Sequence, residues 1–295
     1  MESVREILRK IRRLEIKTRG IVDAAFAGQY RSVFKGRGMN FEEVREYQPG
    51  DEVRTIDWNV TARYDEPYVK KFTEERELSV MLVVDVSASG NFGSVHLSKR
   101  ELAAEIACLL AFSAIRNQDK VGLLLFSDHV ECVIPPRKGR GHALRLIREI
   151  LFFQPKGRGT EPGAALHYLN QILHRRSIVF LLSDFQAPDF SRELAITSRR
   201  HDLIALPMLD PREEILPDVG RVTLEDPETG EQLEVNTSNP GVRKAHQRAF
   251  LRAHQERLAL FRKLRIDTIS LHTHADYLPA LRGFFRTRER RLLIR

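Results

Sequence analysis

Residues 80–84 read Val-Met-Leu-Val-Val, and the run stops on Asp85. Five apolar side chains without alternation suit a strand covered on both faces, as in a parallel sheet. Asp85 then stands where the strand leaves the core, at its carboxyl end. In open α/β sheets, ligands bind at that edge. Ser87 and Ser89 follow at once. An acid and two hydroxyls on one short loop are hard oxygen donors, the first half of a magnesium site.

The second half lies downstream. Gly157-Arg158-Gly159-Thr160 places a hydroxyl in a flexible loop before a helical pattern, and Ser177–Ser183 is another largely apolar run, ending on Asp184. Together these stretches resemble a von Willebrand factor A-type domain. Its metal-ion-dependent adhesion site uses Asp-x-Ser-x-Ser, a distant Thr and a later Asp after a strand. Asp-x-Ser-x-Ser alone recurs by chance; the buried strand before it and the order of the other two elements carry the resemblance. The resemblance implies that Asp85, Ser87, Ser89, Thr160 and Asp184 are metal ligands. The implied cofactor is Mg²⁺, with Mn²⁺ or Ca²⁺ as alternatives. Thr160 has a second reading, as the N-cap of the helix after it.

The chain is expected to open with an amphipathic helix, with Val4, Ile7, Leu8, Ile11 and Leu14 at helical spacing, running to about Ala27. Residues 28–77 are the least regular part. Tyr30–Met39 reads as a short strand and glycine turn, Pro49-Gly50-Asp51 as a turn, and Tyr68–Phe72 as an alternating strand. Asp57, Trp58, Arg54 and Arg63 form either a partner surface or a buried latch; the latch is favoured, because a lone Trp among paired charges more often packs. Ser98-Lys99-Arg100-Glu101 has capping-box form and opens a helix to about Asn117. A core strand over 121–126, an antiparallel edge strand over 130–134 and helices over 141–153 and 161–174 follow. After Asp184 come a helix over 189–200, a strand over 202–208, a hairpin over 219–235, a long helix over 240–264, a strand over 266–271 and a closing helix over 277–285. His246 and His254 read as surface residues. His272 and His274 lack a third ligand.

Residues 36–63, Gly-Arg-Gly-Met-Asn-Phe-Glu-Glu-Val-Arg-Glu-Tyr-Gln-Pro-Gly-Asp-Glu-Val-Arg-Thr-Ile-Asp-Trp-Asn-Val-Thr-Ala-Arg, followed by the strand ending at Asp85, sharpen the resemblance. They are similar to the bacterial family catalogued as domain of unknown function 58. That family is regarded as von Willebrand factor A-like, and its genes commonly neighbour those of MoxR-type AAA+ ATPases. Some members carry two N-terminal membrane helices; this chain resembles the short soluble form. The implied fold is an α/β, Rossmann-type open sheet, mostly parallel and flanked by helices. The expected division is an N-terminal helix and β-rich appendage over 1–77 and a von Willebrand factor A-like domain over 78–295.

Composition narrows the function classes. No run reaches eighteen apolar residues, so no membrane span is expected, and the N-terminus lacks a signal-peptide apolar core. Cys108 and Cys132 have neither metal-ligand nor redox spacing and read as buried thiols, which points to the cytoplasm. The net charge of +8 concentrates in two places. One is the first helix, with Arg5, Arg9, Lys10, Arg12, Arg13 and Lys17; the other is the tail, with Arg282, Arg286, Arg288, Arg290, Arg291 and Arg295. A solvated face or contact with local acids is the favoured reading of both. Three functions are weighed. The preferred one is a non-enzymatic, metal-dependent binding module that engages a carboxylate of a protein partner, plausibly the MoxR-type ATPase or its client. Arg37, Arg137, Lys138 and Arg158, on loops, are candidate partner contacts. A magnesium-dependent hydrolase lacks a base, since no His or Lys lies in the metal loops. A nucleic-acid binder would rely on the basic termini.

Overall fold

A computed structural model of the chain describes residues 4–22, 27–34, 40–53, 56–64, 66–73, 77–95 and 97–293. Helices α1 (Val4–Ile21) and α2 (Ala27–Phe34) come first. Strands β1 (Asn40–Glu46) and β2 (Tyr68–Thr73) pair antiparallel, with α3 (Trp58–Tyr64) between them in sequence. Next come β3 (Ser79–Asp85), α4 (Lys99–Arg116), β4 (Lys120–Phe126), β5 (Val130–Arg137), α5 (Arg140–Phe152), α6 (Pro162–Ile172) and β6 (Ile178–Ser183). Helix α7 (Ser191–Arg200), β7 (Asp202–Leu209) and the short α8 (Pro211–Glu214) lead to a hairpin of β8 (Arg221–Glu225) and β9 (Gln232–Asn236). The chain closes with α9 (Pro240–Lys263), β10 (Asp267–Thr268), β11 (Leu271–His272) and α10 (Leu278–Leu293).

The central sheet has the order β10-β7-β6-β3-β4-β5, with β11 also on β7. Every pairing in it is parallel except β4 with β5. From β3 the chain builds outward to β4 and β5, then returns to build β6, β7 and β10 on the other side. The order therefore reverses between β3 and β6, and a crevice opens there at the carboxyl ends of the strands. This is an open α/β fold, a mostly parallel sheet flanked by helices, as the sequence leads one to expect.

Burial explains the lost alternation. Val80, Leu82 and Val84 join one core with α4, α5 and α10, while Met81 and Val83 join a second core with Leu166, Leu194 and Phe261 on the opposite face. Helix α4 is buried along nearly its whole length, and its capping box is formed: the Ser98 hydroxyl accepts from the Glu101 N–H, and the Glu101 carboxylate accepts from the Ser98 N–H.

Several expectations need correction. Residues 30–34 are helical, not a strand: Tyr30, Val33 and Phe34 at i, i+3 and i+4 bury one face of α2 in the first core. Trp58 is 66% exposed, so it is no latch. Its neighbour Asp57 is buried and accepts the Asn59 N–H at 3.1 Å at the start of α3. Arg63 is exposed, and Arg54 lies outside the described residues. The last strand is split into β10 and β11, and α10 runs past Phe285 to Leu293. Cys108 is buried, but Cys132 is only half-buried. His246 and His254 are half-buried rather than on the surface, and His246 Nε2 lies 2.8 Å from the Glu213 carbonyl.

Candidate functional site at the carboxyl edge of the sheet

Strand register brings the first acid into place. Val84 lies level with Leu182, which sets Asp85 beside Ser183. The Ser183 hydroxyl donates to Asp85 Oδ2 at 2.6 Å, and the Ser87 N–H donates to Oδ1 at 2.9 Å. The chain then turns through a short 3-10 segment, Ala88–Asn91, with the Ser87 and Ser89 hydroxyl oxygens 3.1 Å apart. Burial, and next to it the charge of Asp184, push the Asp85 carboxyl up to about 7 against the hydrogen bonds from Ser183 and Ser87. A buried acid facing another acid lacks a compensating cation.

Asp184 already has a partial one. Lys99, the first residue of α4, is fully buried, and its Nζ donates to Asp184 Oδ2 at 2.6 Å and to Glu213 Oε1 at 2.5 Å. Burial alone would lower the lysine, but the two carboxylates outweigh it and hold the ammonium charged. Burial would likewise raise Asp184; Lys99, the Gln186 N–H and the Ser89 hydroxyl hold it below the usual carboxylate range. The sequence puts no His or Lys in the metal loops themselves, and Lys99 stands outside them, on α4, yet reaches Asp184 from there. Fixed in its protonated form, Lys99 is no general base.

The Thr160 loop is held by a different acid. Glu131 Oε1 accepts the Lys156 and Gly157 N–H groups, each at 2.8 Å, and the Ser127 hydroxyl at 2.7 Å. The Arg158 carbonyl accepts the Ala88 N–H at 3.0 Å, which ties this loop to the serine loop. Thr160 is buried but does not cap α6; the cap position is Glu161, and it makes no side-chain cap bond. The threonine hydroxyl instead donates to Glu228 Oε1 at 2.6 Å. Glu228 sits at the turn of the β8–β9 hairpin, which roofs a cleft of about 660 Å³ with Ser89 and Asp184 on its wall.

A family model described as "Protein of unknown function DUF58" matches residues 43–257. The chain belongs to the DUF58 family. An uncharacterized protein of Mycobacterium tuberculosis, Rv1480, is 33% identical over 283 residues, covering 95% of this chain and 89% of that protein. Among solved structures, BatB from Bacteroides thetaiotaomicron covers 74% of this chain and 98% of its own, at 15% identity and a TM-score of 0.45. The SpRpn10 VWA domain covers 45% and 76%, at 16% identity and a TM-score of 0.31.

In this DUF58 chain, Asp85, Ser87, Ser89 and Asp184 converge, and Thr160 is linked to them indirectly, through the Arg158–Ala88 bond and through Glu228, which lines the same cleft as Ser89 and Asp184. The donor set fits a hard divalent cation. All five groups offer oxygen, and Asp85 is an acid without a counter-charge of its own. Among the described residues no three His, Cys, Asp or Glu side chains gather to hold a metal, so such an ion would rest on two carboxylates and neutral hydroxyls. When ionised, Asp85, Asp184 and Glu213 bring three carboxylates together, and Lys99 and the charge of Arg257 offset only part of them.

The partner-contact candidates separate. Arg158 is exposed and lies in the Thr160 loop. Arg137 pairs with Val121, at the far end of β4 from Phe126, and Lys138 bonds Glu77 just before β3. Both therefore lie at the opposite edge of the sheet. Arg37 lies outside the described residues. Sequence reading missed Lys99, Glu213, Ser183, Glu131 and Glu228. Lys99 was hidden by its capping box, which marks a helix start and not where that start is buried. Ser183, directly before Asp184, was the one with a local signal.

Proposed function

We propose that this protein is a non-enzymatic, cation-assisted docking module that takes a carboxylate from a protein partner at the carboxyl edge of its sheet. Mg²⁺, or Mn²⁺ or Ca²⁺ in its place, would be held by Asp85, Ser87, Ser89, Thr160 and Asp184. The observation that carries the reading is the meeting of Asp85 and Asp184, at the ends of two adjacent strands where the sheet order reverses, beside two serine hydroxyls. When bound, the ion would supply an electrophilic centre for an incoming carboxylate. The chain's own residues supply preorganisation. Ser183 and the Ser87 N–H orient both oxygens of Asp85, Lys99 fixes Asp184, and Glu131 holds the loop that carries Thr160. Each is set before any ligand arrives, so little ordering remains to be done on binding. The family resemblance points to a MoxR-type AAA+ ATPase, or its client, as the partner.

The test is a magnesium titration followed by calorimetry and thermal shift, with wild type beside Asp85→Ala. Saturable stabilisation confined to wild type is expected, since a ligand that binds only the folded state raises its stability. Retention of a candidate partner by Asp85→Ala in EDTA, at wild-type strength, would sink the proposal.

A further inference from the structure

The hairpin of β8 and β9 is an acidic arm laid over an acidic cleft. Glu225, Asp226, Glu228 and Glu231 line the cleft together with Asp184 and Glu213. Most of the hairpin is exposed, including Leu224 and Leu233, and Glu228 is one of its few half-buried residues. Among the described residues, the two strands pair with each other and meet no other helix or strand beyond isolated contacts. At its base, the Thr237 N–H and hydroxyl each donate to the Gly220 carbonyl at 2.7 Å. At its tip, the Thr160–Glu228 bond of 2.6 Å is the tie to the sheet edge.

The turn is built to aim that one side chain. The Glu228 N–H donates to Asp226 Oδ1 at 2.8 Å, and the Gly230 N–H donates to the Asp226 carbonyl at 2.7 Å. Gly230 has φ +76°, a left-handed conformation that glycine adopts without a Cβ penalty. A rigid tip on a lightly packed arm moves as a unit about its base. Like charges at the tip and on the cleft wall oppose closure, so a specific attraction must hold the arm down. Thr160 provides it, and Thr160 is one of the groups assigned above to the cation.

We infer that Glu228 is the resident occupant of the place a partner carboxylate takes, and that the β8–β9 hairpin is a latch the partner must lift. This rests on the docking reading for what displaces Glu228, but not for the latch itself. The partner segment that fits is an acidic side chain with an apolar neighbour. It would replace Glu228 and face the apolar part of the cleft that stays when the hairpin lifts, where Phe92 and Leu216 lie. A partner offering a basic or purely polar segment would not compete for Thr160.

Hydrogen exchange of residues 222–235 in the full chain, read by mass spectrometry, separates the latch from the cation. Without metal, Glu228→Ala, which leaves the Thr160 hydroxyl no acceptor on the hairpin tip, and Thr160→Val, which removes the donor, should each speed exchange in the hairpin by about tenfold, as expected for losing a charge-assisted hydrogen bond. Exchange elsewhere should not change, which shows that both variants are folded. Hairpin exchange equal to wild type in both variants would overturn the latch, whatever magnesium does. Magnesium alone should slow hairpin exchange further in wild type, and Asp85→Ala should lose that slowing. A metal-free latch with no Asp85-dependent magnesium response would leave the latch standing and overturn the cation. An Asp85-dependent magnesium response with identical hairpin exchange in wild type and Glu228→Ala would do the reverse.

Discussion

Lys99 shows how one buried charge sets the character of a site. Its ammonium is buried between Asp184 and Glu213. Removing one partner of a buried pair leaves the other desolvated and alone, which costs more than the intact pair contributes. Lys99→Met keeps much of the volume and deletes the charge. It should lower metal-free stability by about 3 kcal/mol in urea denaturation. Added magnesium should recover a larger share of stability in the variant than in wild type, because the ion would then take over the charge that Lys99 sets against Asp184. Equal magnesium stabilisation of both proteins would show that Lys99 and the ion do not share Asp184. None of this was legible in the sequence. Asp85, Ser87 and Ser89 announce themselves because they are neighbours on one loop after one strand. Lys99 meets Asp184 across 85 positions and Glu213 across 114, and local pattern holds no record of such a meeting.

At the scale of elements, apolar runs were enough to place the sheet. Strands β3, β4 and β6 are buried on both faces, so composition alone marks them, and the capping box marks the start of α4. The signal failed where an element's burial is one-sided or its packing is distant. Helix α2 reads as a strand over Tyr30–Phe34 because its aromatic and β-branched residues carry strand propensity, yet tertiary packing selects the helix. The loop over 154–160 could be placed in the sequence, but not its support. Glu131 Oε1 gathers two backbone N–H groups and a hydroxyl there, and that side chain is 2% exposed. Glu131→Leu should cost about 1–3 kcal/mol, because it removes the one oxygen on which those three donors converge. It should also weaken magnesium binding through Thr160, measured by calorimetry. Gly157→Ala tests the same loop sterically. A Cβ there would overlap the side-chain oxygens of Asp128 and Ser127, so the loop or those side chains must shift. Unchanged magnesium affinity in both variants would mean that Thr160 is not held by this loop's geometry.

At the scale of the molecule, the question is whether the first 77 residues are an appendage. Leu14, Val22, Tyr30, Val33 and Phe34 belong to the same core as β3, α4 and α10. Phe34 lies edge-on to Phe180 of β6 at 6.0 Å and to Phe285 of α10 at 5.8 Å, with the Arg288 guanidinium 4.9 Å above its ring. Arg288 in turn pairs with Asp202 and Asp267, and Arg291 pairs with Asp267. Two of the tail's arginines thus tie the last helix to the sheet, which takes them from any patch offered to nucleic acid. The two ends of the chain close one core between them. Phe34→Ala should therefore destabilise the whole protein by about 3–5 kcal/mol, the range for emptying a buried aromatic site. The single tryptophan, Trp58, is exposed and reports poorly on that core, so far-UV circular dichroism in urea is the better readout. One transition, shifted as a unit, is expected. A chain restricted to residues 78–295 should lose cooperative unfolding, because the faces of α4, α5 and α10 that α1 and α2 cover would meet water. If that shorter chain unfolds cooperatively and keeps an Asp85-dependent magnesium response, the N-terminal helices cover the core without completing it, and the boundary at residue 77 marks a separable unit.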